Sequence, residues 1–353
     1  MSSKNMSNKV VGVIGAGGFG TAIANLLAHN TDVHLCVRNP QIVEQINQTR
    51  TAAGQKLAPS IVPTTSLEEI TQQCTIIFPI IPSHGFKKLL QQLAPLLGPH
   101  HMLIHGVKGL DVSWPDTADP STNNTSPLTR QQVHTMSELI LAETNVTQVG
   151  CIAGPNLASE LAQGLLAAVV ISSNSPIVME TGQKLLRSNH FQVYTNPDML
   201  GVELCGVLKN IMAIGAGCLD GLGQGENAKA FLISRGLVEM VHIGRAMGAS
   251  VQPFLGLAGI GDLVATCASK LSRNYTVGYR LAQGESLAQI LSNKALTAEG
   301  VHTVKVIHSL AAHYNMHVPI TEMIYKILFE NVPVQEAINH FMNSSLHIDV
   351  DFI

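Results

Sequence analysis

Val10-Val-Gly-Val-Ile14, then Gly15-Ala-Gly-Gly-Phe-Gly20, then Thr21-Ala-Ile-Ala-Asn-Leu-Leu-Ala28 is the stretch that decides the fold. The first five residues are apolar and rich in β-branched side chains, which reads as a buried parallel strand. The next six place glycines at 15, 17 and 20, a G-x-G-x-x-G spacing. The last eight are strong helix formers. Each glycine has a separate task in such a strand–turn–helix unit. Gly15 permits the tight turn, Gly17 lets a phosphate approach the backbone, and Gly20 allows the helix to pack closely. The helix N-terminus offers unpaired N–H groups and a positive dipole end to an anion. The unit is therefore read as a dinucleotide site.

A second strand follows at Val33-His-Leu-Cys-Val37 and ends in Arg38-Asn39. An acidic residue here would accept hydrogen bonds from a ribose 2′-hydroxyl. Arg38 instead suits a 2′-phosphate, so the expected cofactor is NADP(H) in preference to NAD(H), which the site would still admit. A solvated surface arginine is the other reading.

The βαβ rhythm continues. A helix is expected at 40–48, and Ser66-Leu-Glu-Glu69 is a capping-box pattern that opens another. Strands are expected at 75–81, 102–105, 148–153, 165–172 and 191–194. Past Asn196 the strand signal stops, and helices are expected at 198–219, 227–247 and beyond. The expected fold is α/β: an N-terminal Rossmann-like, doubly wound, mostly parallel sheet in residues 1–196, then an all-α domain in residues 197–353. Within the first domain, residues 111–127 read as a polar, proline-containing surface insertion and candidate lid, which holds the only tryptophan, Trp114.

Composition narrows the function. A net charge of −3 with no Lys/Arg run gives no nucleic-acid or anionic-membrane signal. Apolar runs are broken before membrane-spanning length, and the first nine residues form a polar tail with no signal-peptide core. The six cysteines lack a C-x-x-C pair, as reduced thiols in a cytoplasmic protein do. The fifteen histidines show no ligand spacing, and no metal site is read.

Gly206-Val-Leu-Lys-Asn-Ile-Met-Ala-Ile-Gly-Ala-Gly217 sets Lys209 beside Asn210 with no other polar side chain. Lost hydration lowers the pKa of an ammonium group and suits it to proton transfer near neutrality. Read alone, the segment fits a snorkelling lysine slightly better, its stem covering apolar surface while its head reaches water.

Ordered matches run along nearly the whole chain: Gly15 to Ala22, Pro82-Ser-His84, Val107-Lys-Gly-Leu110, Gly154-Pro155 with Ala158-Ser-Glu-Leu161, and Tyr194-x-Asn-Pro-Asp198. They continue through Val207-Leu-Lys-Asn-Ile211, Ser234-Arg-Gly-Leu237, Gly259-Ile-Gly-Asp-Leu263, Ser272-Arg-Asn274, Glu299-Gly300 and Val318-Pro-Ile-Thr321. On these the chain resembles bacterial-type glycerol-3-phosphate dehydrogenase, which interconverts dihydroxyacetone phosphate and sn-glycerol 3-phosphate with NAD(P)H.

The resemblance implies that Lys209 gives and takes the proton. It implies substrate contacts from Lys108, Gly154, Asn156, Lys209, Asp262, Ser272, Arg273 and Asn274. It implies cofactor contacts from Gly18, Phe19, Arg38, Lys108, Ala158, Arg273, Thr297 and Glu299, beside the turn glycines Gly15, Gly17 and Gly20. It also implies a homodimer and a role in glycerophospholipid supply. Asn156 departs from the family's small hydroxyl residue, so an amide makes that contact or the contact is lost.

Several of these residues carry a plainer reading. Asp262 could cap a helix, Ser272 could do the same, Phe19 could be core packing, and Lys108 could be a surface lysine at a strand end. Two rival functions stay open: a two-domain dehydrogenase of the 3-hydroxyacid or 6-phosphogluconate type, and a non-catalytic NADP-binding regulator.

Overall fold

The structure is a computed structural model that describes residues 10–115, 127–292, 298–343 and 349–350. The chain divides into two compact units. One comprises Met1–Lys108 with Thr135–Val202, and the other Gly109–His134 with Glu203–Ile353.

The chain begins β1 (Val11–Ile14), α1 (Gly18–Leu27), β2 (Val33–Cys36), α2 (Pro40–Thr49), β3 (Thr51–Ala52), β4 (Gln55–Lys56) and β5 (Ile61–Thr64). Next are α3 (Leu67–Gln73), β6 (Ile76–Pro79), α4 (Phe86–Leu93), β7 (Met102–His105), β8 (Leu110–Val112), β9 (Val133–Thr135) and α5 (Met136–Glu143). Then come β10 (Gln148–Ala153), α6 (Ala158–Ala162), β11 (Ala167–Ser172), α7 (Pro176–Leu186) and β12 (Phe191–Asn196). Helices take over from there: α8 (Met199–Gly221), α9 (Gly225–Ala246), α10 (Gln252–Leu255), α11 (Asp262–Ala268) and α12 (Arg273–Ala282). The chain closes with α13 (Leu287–Leu291), α14 (Glu299–Tyr314), α15 (Pro319–Phe329) and α16 (Val334–Met342).

The main sheet has eight strands in the order β12-β11-β10-β7-β6-β1-β2-β5. All its pairs are parallel except β10–β11. Strand β1 has β2 on one side and β6 on the other, as a doubly wound sheet requires. Its central strands are apolar on both faces. Ile76, Phe78, Met102 and Ile104 join a core with α1, α2 and α7, while Ile77 and Leu103 join a second core with α3, α4 and α5. That two-sided burial is why these strands read as continuous apolar runs.

Two local expectations changed. Ser66 caps α3, accepting from the Glu69 N–H at 3.0 Å, but the reciprocal bond of a capping box is replaced. Thr64 Oγ1 accepts the Ser66 N–H at 3.1 Å and donates to Glu69 at 2.5 Å. The stems of the 111–127 insertion also group with the helical unit. Strands β8 and β9 form a ribbon, Trp114 lies over the Lys305 ammonium at 5.3 Å, and Leu128 N donates to Ser309 Oγ at 2.9 Å. Arg130 N donates to Tyr314 Oη at 3.0 Å, so the stems are held along α14; residues 116–126 lie outside the described residues.

In the helical unit, α8 is buried from Gly201 through Leu219. Among the described residues it is the one helix long and apolar enough to cross a membrane, and that window is wholly buried in the fold. Glu239 on α9 is also buried, and its carboxylate accepts from Ile320 N at 2.7 Å, Thr321 N at 2.9 Å and Thr321 Oγ1 at 2.5 Å. It thus caps α15 from another helix.

Burial pushes the Glu239 carboxyl up from 4.5 to about 7, against the opposing bonds from Thr321 and Ile320. A carboxyl raised on folding binds its proton more tightly in the native state. Its contribution is full below the unfolded pKa and is lost as pH rises through the folded one. Stability should therefore fall by up to roughly 3 kcal/mol between pH 4.5 and 7 from this group. Glu239→Gln should remove that component, so urea unfolding of the two proteins should converge in stability or cross as pH rises. Parallel pH profiles would refute it.

Candidate active site

In the sheet unit the glycine loop sits between β1 and α1. Gly15 adopts φ +113°, and a Cβ there would lie 2.3 Å from the Ile80 carbonyl oxygen. A Cβ on Gly20 would lie 2.0 Å from the Gly15 oxygen, whereas Gly17 is exposed with nothing within 4 Å. Two glycines thus close the turn and the third leaves its backbone open, a cradle that fits a pyrophosphate.

Neighbouring residues frame the loop. Gln55 on the β3–β4 hairpin donates to the Gly18 carbonyl at 2.7 Å. Ala158, the first residue of α6, has its Cβ beside Gly18, at 3.5 Å from where a Cβ on that glycine would be. Phe19 is half-buried, packing on the first core and against Gly106, so it is partly core and partly surface. Arg38 follows β2, exposed and without an ion pair among the described residues. Gln55 was missed by sequence reading, because a two-residue strand carries no periodic signal.

Lys108 is half-buried just beyond β7. The strand end is shaped by His105, another residue the sequence did not flag. Val107 N donates to His105 Nδ1 at 3.3 Å, so Nε2 carries the proton and meets Ser137 Oγ at 2.9 Å. Past β10, Gly154 is buried at φ +131°, and both amide atoms of Asn156 are buried without a hydrogen-bond partner. A buried, unsatisfied amide costs about 1–3 kcal/mol, which a polar ligand would relieve. The cleft of about 570 Å³ beside α1 is lined by Asn25, His29, Gln55 and Arg187 among others, and by none of the residues predicted from sequence.

In the helical unit Lys209 does not snorkel. Its ammonium is buried and donates to Asp262 Oδ1 at 2.5 Å and Thr266 Oγ1 at 2.6 Å. Asp262 is therefore not a helix cap; the chain enters α11 through a π-helical turn at Leu257–Gly261, and the carboxylate faces α8. Thr266 is also new. Its spacing of four from Asp262 places both on one helix face, a signal present in the sequence.

Ser272 does cap α12, accepting from Tyr275 N at 3.3 Å. Asn274 is buried, and its oxygen accepts from Gly300 N at 2.9 Å, which orients its NH₂ away from that bond. Arg273 is exposed and makes no ion pair among the described residues, and Glu299 is the half-buried first residue of α14. Thr297 lies outside the described residues. All six cysteines are buried and unbridged.

A mostly parallel sheet with an open glycine loop, joined in sequence to a helical unit that buries a lysine–carboxylate pair, fits a nicotinamide-nucleotide oxidoreductase. Residues 10–178 match the NAD-dependent glycerol-3-phosphate dehydrogenase N-terminus, and residues 198–339 match its C-terminus. A glycerol-3-phosphate dehydrogenase [NAD(P)+] of Geobacter sulfurreducens is 40% identical over 341 residues, covering 95% of this chain and 97% of that one. The crystal structure of glycerol-3-phosphate dehydrogenase from Coxiella burnetii superposes with a TM-score of 0.83 at 30% identity, over 96% of this chain and 99% of that one. A ketopantoate reductase of Ralstonia eutropha, at 14% identity and TM-score 0.56, shares the fold alone. The chain belongs to the NAD-dependent glycerol-3-phosphate dehydrogenase family.

Removing one member of a buried ion pair strands the other charge. Asp262→Leu should lose about 3–5 kcal/mol of unfolding free energy. Lys209→Met with Asp262→Leu should lose clearly less than the sum of the two single changes in a double-mutant cycle by urea unfolding. Additive losses would show that the two groups do not interact.

Proposed function

We propose that the chain interconverts dihydroxyacetone phosphate and sn-glycerol 3-phosphate, with Lys209 as the proton donor and acceptor. The observation that carries this reading is the buried Lys209 ammonium set between Asp262 and Thr266. Hydride moving to C2 leaves negative charge on the carbonyl oxygen, and a desolvated ammonium both stabilises that charge and delivers a proton. In the reverse direction the neutral amine accepts the proton of the C2 hydroxyl. Asp262 and Thr266 hold the amine in one rotamer in either protonation state.

The nicotinamide cofactor, when bound, supplies or accepts the hydride. Gly15, Gly17, Gly18, Phe19 and Gly20 would hold its pyrophosphate region, with Arg38 on the 2′-phosphate of NADP(H). Exposed, unengaged Arg38 supports a preference for NADP(H). Lys108, Ala158, Arg273, Thr297 and Glu299 are the remaining cofactor contacts of this reading. Gly154 and Asn156 take the substrate, and the unsatisfied Asn156 amide favours a contact made rather than lost. Ser272, Arg273 and Asn274 offer a hydroxyl, a guanidinium fork and an amide, a donor set that suits a phosphate monoester. A homodimer and a role in glycerophospholipid supply rest on the family resemblance.

Following nicotinamide absorbance with dihydroxyacetone phosphate tests this. Wild type should oxidise NADPH, and Lys209→Ala should lower kcat by about 10²- to 10⁴-fold. A protein that binds NADPH yet turns over neither cofactor would leave another substrate or a binding-only role. Arg38→Ala should raise the KM for NADPH about tenfold and leave that for NADH unchanged, since one charge-assisted bond is worth at least about 1.5 kcal/mol.

A further inference from the structure

A second charge cluster lies in the helical unit, largely shielded from water, and has no part in the mechanism above. Asp220 sits near the end of α8, one residue before the helix stops. Its Oδ1 meets Lys229 Nζ of α9 at 3.0 Å, and its Oδ2 accepts from Tyr275 Oη of α12 at 2.6 Å. One carboxylate therefore ties three helices. Lys229 is buried, and its other anionic partner, Glu226 at 3.2 Å, is exposed. Burial pushes the Asp220 carboxyl up, but the Tyr275 hydroxyl and the Lys229 ammonium outweigh it and hold the group below its ordinary value.

The backbones around this junction are in contact. A Cβ on Gly217 of α8 would lie 2.0 Å from the Tyr275 carbonyl oxygen, and one on Gly278 of α12 would lie 1.9 Å from the Ile214 oxygen. Helices that touch through glycines can slide or roll on a smooth surface unless a directional bond fixes them. Tyr275–Asp220 is such a bond near the start of α12, and Gln283 Nε2 donating to the Gly221 carbonyl at 2.7 Å is another at its far end. The same α8 carries Lys209, and the residues just before Tyr275 are Ser272, Arg273 and Asn274. The Ser272 cap on Tyr275 N passes the constraint to the start of α12 directly.

We propose that Tyr275 and Asp220 are positioning residues that set the register of the α12 N-terminus against Lys209, and so fix where the substrate's phosphate is held relative to its C2 carbonyl. This rests on the reading of Ser272, Arg273 and Asn274 as the phosphate site. Tyr275 touches no reacting atom. Its hydroxyl acts through the helix, so loss of that hydroxyl weakens the grip on the phosphate ester and spares the nucleotide.

The test compares Tyr275→Phe, which keeps the ring and removes the hydroxyl, with Arg273→Ala, which removes a proposed phosphate ligand. Steady-state kinetics with dihydroxyacetone phosphate and NADPH, inhibition by inorganic phosphate, and thermal melting are recorded for each. Tyr275→Phe should raise the KM for dihydroxyacetone phosphate about five- to twentyfold and weaken phosphate inhibition in parallel. The KM for NADPH should stay within about twofold. Asp220→Asn, which keeps an acceptor for the hydroxyl, should recover most of the substrate affinity that Asp220→Ala loses. If Arg273→Ala raises the substrate KM while Tyr275→Phe leaves it unchanged, whatever the melting temperature, the positioning role is overturned and the phosphate site stands. If Arg273→Ala leaves it unchanged, the phosphate site falls and the positioning role falls with it.

Discussion

The helical unit is organised around the burial of one ammonium group. Lys209 lies on a helix whose length from Gly201 to Leu219 is closed to water, so its charge has to be met from another element. An isolated buried ammonium would cost several kcal/mol, a large share of a domain's whole stability. Asp262 meets it, and for the carboxylate to face α8 the chain must enter α11 in the right phase. The π-helical turn at Leu257–Gly261 leads directly into α11, whose first residue is Asp262. Thr266, one turn on, then reaches the same nitrogen. A local irregularity and a charged pair are thus neighbours in the chain.

The sequence made some of this legible and hid the rest for physical reasons. Strand β1, the glycine turn and α1 are contiguous and their constraints local, so Gly15 and Gly20 could be assigned separate tasks from spacing alone, and their close approaches match those tasks. Strands β7 and β10 were bounded correctly because both faces are apolar and the runs end sharply. Strand β5 was not seen. It is short, carries Pro63, and lies at the sheet edge, where a missing N–H is tolerated and the apolar demand is weak. The hairpin of β3 and β4 escaped for the same want of length, and with it Gln55.

Long-range pairing was the larger gap. Lys209 could be picked out as odd, but its partners lie 53 and 57 residues away. Glu239 reaches Thr321 across 82 residues, and Asp220 reaches Tyr275 across 55. No periodicity carries such information. What the sequence did carry was one further oddity: Glu239 lies within a well-formed helix at a buried position that an apolar side chain would ordinarily fill, whereas Asp220 near the end of α8 gives no such signal. The 111–127 segment shows the converse. It reads as surface by polarity, yet its stems are fixed on Lys305, Ser309 and Tyr314, spaced along α14 so as to take successive bonds.

Three acids, Asp262, Glu239 and Asp220, share one geometry: each sits on one helix and bonds to another. Apolar packing alone leaves helix crossings free over some 15–20° and imposes no exact slide. A hydrogen bond to a carboxylate tolerates a few tenths of an ångström. In a unit built almost wholly from helices, apolar burial therefore supplies the cohesion, and the acids supply the register. For proton transfer the distinction matters, because misplacement of a reacting group by about 1 Å can cost on the order of a hundredfold in rate. Acids at such contacts are destabilising when considered singly, since each must give up hydration. Replacing a whole buried pair by apolar side chains is often neutral, whereas removing one member is costly, so the worth of each acid depends on the partner it meets on the neighbouring helix.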